Sequence, residues 1–171
     1  MTMTEGVAQL HLGEYNVLAQ DASSTDVFAF FVNQGLPLEF STRLLEDLWG
    51  KTKIVAGEVI HIGKIIILKI VEFIKENPHM SVGTAIGAAV YVLINAIPYI
   101  GPFVAPLIGG AAIITGMAVG SLMDMASKGQ KIDPSFLGLT QAVINSAKKF
   151  FELIIDIFLI LKVDFEERFC S

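Results

Sequence analysis

From Met80 to Met123 the chain runs for 44 residues without an Asp, Glu, Lys, Arg or His, and Pro98-Tyr99-Ile100-Gly101-Pro102 sits in the middle of that run. A helix rises about 1.5 Å per residue, so each side of the turn amounts to roughly 27–31 Å of helix, a match for the ~30 Å hydrocarbon thickness of a bilayer. Residues 80–123 therefore read as a hydrophobic helical hairpin able to enter or cross a membrane. Composition agrees: 53% of the residues are hydrophobic and 17% charged, with a mean hydropathy of +0.64. An average soluble domain has about 45–50% apolar and roughly 25% charged residues. A chain of 171 residues with no internal repeat is expected to form a single domain.

The net charge of −5 is segregated. Met1 to Asp47 carries −6, Leu48 to Phe151 carries +4, and Glu152 to Ser171 carries −3. Lysines frame the hairpin: Lys64, Lys69 and Lys75 precede it, and Lys128 and Lys131 follow it. By the positive-inside tendency both feet of the hairpin stay on one side, with these five lysines at anionic lipid headgroups. A plainly solvated lysine face is the alternative.

Around the hairpin the expected fold is all-α. Residues 1–36 form an N-terminal arm, extended or disordered at first and then a short helix capped by Ser24, Thr25 or Asp26 and stopped by Gly35 and Pro37. Residues 41–77 read as an amphipathic helix, bent near Gly50 or Gly57. At 100° per residue Glu58, His61, Lys64, Lys69, Glu72, Lys75 and Glu76 fall within about 140° of arc, and the rest of the circumference is Ile, Val and Phe. Asp133 and Pro134 are a good N-cap and first-turn pair for a second amphipathic helix, 134–168, with a narrow polar stripe through Asn145, Lys148, Lys149, Glu152 and Asp156. That helix can lie in the interfacial plane, wrap a stored hairpin or line the hydrated wall of an oligomer.

Small residues recur at four-residue spacing inside the hairpin, Gly83 and Gly87 in the first arm and Ala112, Gly116 and Gly120 in the second. Such ridges let helix backbones approach closely in lipid, so they predict arm-to-arm packing or a homo-oligomer. At the turn, Pro98, Tyr99, Gly101, Pro102 and Pro106 break the helix and reverse the chain.

The segment Ala96-Ile97-Pro98-Tyr99-Ile100-Gly101-Pro102, followed by Gly109-Gly110, resembles the Ile-Pro-Tyr-Ile-Gly-Pro element of clostridial neurotoxin translocation domains. It is also similar to the Ala-Ile-Pro-x-x-Gly turn of the diphtheria toxin translocation hairpin. The resemblance covers seven to fifteen residues and implies a water-soluble helical form that exposes a buried hairpin and inserts it, often after acidification. The diphtheria tip carries acidic residues, whereas this one is uncharged. The spacing of Pro98, Pro102 and Pro106 is similar to the proline knot of oleosin-type lipid-droplet hairpins.

Catalysis is not expected. His11, His61 and His79 are scattered, and the chain has no nucleophile elbow, no phosphate-cradling glycine loop and no H-E-x-x-H. No metal or cofactor is expected either. Cys170 is the single cysteine, and the first twenty residues lack the basic and apolar regions of a cleaved signal peptide. An acidic chain whose lysines flank apolar helices gives no reason to expect nucleic acid as a partner; the expected partner is a lipid bilayer. Three functions stay open: a membrane-inserting protein that oligomerises into a pore or lesion, a non-conducting hairpin anchor or scaffold, and a helical assembly subunit that keeps the hairpin buried at interfaces.

Overall fold

Thr4 opens the first helix by accepting the Val7 N–H on its hydroxyl at 3.2 Å, and α1 runs over Glu5–Gln20. A computed structural model describes residues 3–107 and 139–165 of the chain. The extended or disordered arm expected here is instead a four-turn helix. It buries only the narrow face Ala8, Leu12, Asn16 and Ala19, while Val7, Leu10, Val17 and Leu18 point outward. Apolar residues on both faces blur the helical period, which is why the sequence reads weakly there.

Ser23, one residue before the expected caps, accepts the Asp26 N–H and starts α2, Ser24–Asn33. Gly35 ends it as expected, at φ +96°, with Leu36 N–H donating to Phe31 and Gly35 N–H to Val32. This is the Schellman closure of a helix. Helix α3, Leu38–Leu44, starts behind Pro37 and passes into a π-helical turn, Leu45–Trp49.

The continuous helix expected over 41–77 is broken. Lys53–Val55 (β1) and Glu58–Ile60 (β2) form an antiparallel hairpin in the register Lys53↔Ile60, Ile54↔Val59, Val55↔Glu58. Ala56 and Gly57, at φ +52° and +83°, make its two-residue turn. Positive φ at both central residues is the turn that matches the right-handed twist of two strands. Ile54 and Val59 face outward while Val55 and Ile60 are buried, so alternation of period two overrides the helical stripe. Glu58 and His61 thus leave the predicted stripe, and α4 begins at Ile62 and ends at Glu76.

Asn16 ties α1 to this hairpin. Its Nδ2 donates to the Val59 carbonyl at 3.1 Å, and its Oδ1 accepts the His61 N–H at 2.8 Å. Asn16→Ala leaves a part-buried carbonyl and a part-buried N–H without their partners, so the expected cost is about 1 kcal/mol. A lower urea midpoint at unchanged slope checks it, and an unmoved midpoint refutes it.

Ser81 caps α5, Val82–Ala96, and the chain is helical again over 101–107. The last helix among the described residues, α6, covers Gln141–Ile160. It is shorter than the 134–168 expected: Thr140 caps it by accepting the Val143 N–H, and residues 139–140 are not helical. At its other end Lys162, at φ +52°, takes the position Gly35 holds after α2, with Val163 N–H donating to Phe158. The mainly α character of the chain is as expected. Helix α5 packs on α4 and α6, α1 packs on the same two helices, and α4 touches α6 between them.

Candidate functional site

Helix α5 is the first arm of the charge-free run. Its buried residues include Ala85, Ile86, Gly87, Ala88, Ala89, Val90, Val92 and Leu93, which at 100° per residue cover the circumference except for a sector of about 100° held by the half-buried Thr84, Tyr91 and Asn95. A helix without charge whose polar sector is this narrow has to be enclosed over the rest of its surface, by protein or by lipid. Here α4 and α6 supply part of the enclosure, each turning an apolar stripe inward and its charges outward. The arm is also shorter than expected. Its 15 residues make about 22 Å of helix, and among the described residues no helix is long and apolar enough to cross a membrane.

Beyond α5 the chain turns through Pro98 and Tyr99. Pro98 and Pro102 are exposed, Pro106 is half-buried, and Gly101 is buried at the start of the 101–107 helix. The left-handed residue of this turn is Tyr99, at φ +63°, rather than Gly101. A bulky side chain in that region costs on the order of 1–3 kcal/mol. The Tyr99 side chain nevertheless stands 65% exposed at the tip. Underneath, Phe103 meets Phe165 edge-on at 5.2 Å and Phe165 meets Phe158 at 5.7 Å, so the turn is fastened to the end of α6 by a run of three rings. Lys51 Nζ lies 4.9 Å above the Phe103 ring.

Gly83 and Gly87 lie one turn apart on α5 and both are buried. Ala112, Gly116, Gly120, Lys128 and Lys131 lie outside the described residues. The lysines of α4 each rest on an aromatic ring: Lys64 Nζ is 5.3 Å from the Trp49 centroid, Lys69 is 4.4 Å from Tyr15, and Lys75 is 5.3 Å from Phe30. Lys69 also pairs with Glu72 at 3.3 Å and is only 19% exposed. In this fold Lys69 is thus committed to internal contacts, while Lys75 stays exposed at the end of the helix.

One feature was only half visible in the sequence. Tyr91 and Asn95, four apart on α5, face Lys148, Glu152 and Asp156, spaced four apart on α6, across a cleft of about 480 Å³ floored by Val92, Ala96 and Ile155. The α6 stripe follows from the sequence, and the four-residue spacing of Tyr91 and Asn95 is the signal for its counterpart. Asn95 Oδ1 is shut off from solvent and accepts no hydrogen bond. An unpartnered buried acceptor costs about 1–3 kcal/mol, so its retention asks for a reason. Of the histidines, His11 Nδ1 lies 3.9 Å from Glu14, the backbone N–H of His61 is held by Asn16, and His79 is exposed. Among the described residues no group of three acidic, His or Cys side chains is placed to hold a metal ion. Compared with family models, with curated proteins and with solved structures, the chain finds no match.

Proposed function

We propose that this is a membrane-inserting α-helical protein that stows its apolar arm in a folded form, releases it into a bilayer, and oligomerises to form a pore or otherwise permeabilise the membrane. One observation carries the reading. Helix α5 is charge-free, buried over most of its circumference, and leads into a turn that presents Tyr99 and two prolines to the outside. Magnitudes favour lipid as the destination. Exposing Val82, Ile86, Val90, Val92 and Leu93 to water would cost roughly 8 kcal/mol or more, which is comparable with the whole stability of an ordinary domain. An apolar phase removes that cost. The likeness of the turn to toxin translocation hairpins points the same way. Insertion would begin with lysines at the headgroups, and the arm would lengthen beyond its 15 residues as it leaves α4 and α6.

The enclosure of α5 also favours a second reading, a helical subunit that keeps this arm buried throughout. Dye release from anionic liposomes, at neutral and mildly acidic pH with co-sedimentation of the same samples, separates the two. Binding with release is the expected result. Binding without release would leave a non-conducting anchor or scaffold, and neither would establish the permanently buried arm.

A further inference from the structure

We propose that the cleft between α5 and α6 binds a primary ammonium group carried beside a phosphate, the chemistry of a phosphoethanolamine headgroup. Its volume of about 480 Å³ lies within the range of ordinary small-molecule sites. Lys148, Glu152 and Asp156 follow one another at one-turn intervals along α6, so the wall is cationic at one end and anionic along the next two turns. None of the three has an ion-pair partner among the described residues, and lysine placed N-terminal to glutamate is the weaker orientation for pairing within a helix. These charges are therefore available to a zwitterion, with its phosphate at Lys148 and its ammonium between Glu152 and Asp156.

Asn95 selects among zwitterions. Asn95 lines the cleft while its Oδ1 is turned away from solvent, and the terminal torsion of asparagine is broad, so a turn about χ2 would exchange Oδ1 with Nδ2 and offer the acceptor to a ligand. An acceptor needs an N–H donor, which a primary ammonium has and a quaternary one lacks. The Tyr91 ring and hydroxyl stand on the same wall, and Val92, Ala96 and Ile155 suit the methylenes. Only the source of the headgroup, lipid or a free small molecule, rests on the membrane reading above.

The test is calorimetric titration of the full chain with O-phosphoethanolamine, phosphocholine, ethanolamine and inorganic phosphate at matched ionic strength. Phosphoethanolamine is expected to bind at least about tenfold more tightly than phosphocholine, because a buried acceptor left unpaired disfavours the ligand without a donor. Asn95→Leu should erase that preference. The double variant Glu152→Gln, Asp156→Asn changes two exposed positions and should keep its circular dichroism while losing affinity about tenfold or more. Equal binding of the two headgroups, no binding of either, or undiminished binding by the double variant would overturn the proposal. Vesicles with and without phosphatidylethanolamine identify the source. Soluble binding without any vesicle binding would uphold the cleft as a site for a free ligand and remove the membrane reading.

Discussion

Gly63→Ala is expected to cost about 3 kcal/mol, close to the upper end of what overpacking a core costs. A Cβ at position 63 would run into the carbonyl oxygen of Leu48, with the Leu48 carbonyl carbon at 2.9 Å and the Lys51 carbonyl oxygen at 3.3 Å. Neither carbonyl is free to retreat. Leu48 O accepts the Lys51 N–H at 3.1 Å, and Lys51 O accepts the Gly63 N–H itself at 3.0 Å. The first turn of α4 is therefore set directly on the backbone that leaves the π-helical turn, and the β-hairpin fills the space between. In a domain of this size the loss corresponds to a fall in Tm of roughly 6–12 °C. Thermal unfolding followed by circular dichroism measures it, and an unchanged Tm would mean that the junction relaxes around a methyl group.

The same junction shows why segment 41–77 reads as one helix in the sequence and folds otherwise. Its helical stripe is genuine from Lys64 to Glu76, where α4 forms, and accidental at Glu58 and His61. The competing signal is short: Ile54-Val55 and Val59-Ile60 alternate about Ala56-Gly57, and alanine is not a residue that announces a turn with positive φ. The close contact at Gly63 cannot be read locally, because the carbonyl that excludes a side chain belongs to a residue fifteen positions earlier. The apolar arm was legible for the opposite reason. A long run without charge has to be enclosed by something, and its period does not matter. Its far end was legible too, since Pro98 closes it; what the run does not disclose is that Ser81 caps the arm, so that α5 starts at Val82 instead of Met80. The cleft was legible by halves. Four-residue spacing put Lys148, Glu152 and Asp156 on one face of α6, whereas the partnership with Tyr91 and Asn95 depends on how α5 and α6 are rotated against each other.

Phe73→Ala carries the second large effect and joins stability to the proposed function. Phe73 is fully buried, and its ring lies 5.2 Å from Phe150 and 5.4 Å from Phe151, which themselves meet edge-on at 5.0 Å. Lys69 Nζ extends the knot, at 5.9 Å from Phe150 and 4.4 Å from Tyr15. This cluster joins α4 to α6 and reaches α1, so it holds together the two helices on which α5 lies. Removing a buried phenyl ring costs about 3–5 kcal/mol. With a total stability on the order of 5–15 kcal/mol the variant can still fold, with α4 and α6 more easily parted. If insertion requires α5 to leave these two helices, the variant should unfold at lower denaturant and yet release more dye from anionic liposomes than the parent at equal protein, lipid and pH. A merely structural role for the ring predicts the first change without the second. Reduced stability with equal or weaker release would therefore place the gate elsewhere than the α4–α6 contact, leaving the fastening of the turn by Phe103, Phe165 and Phe158 as the contact to cut next.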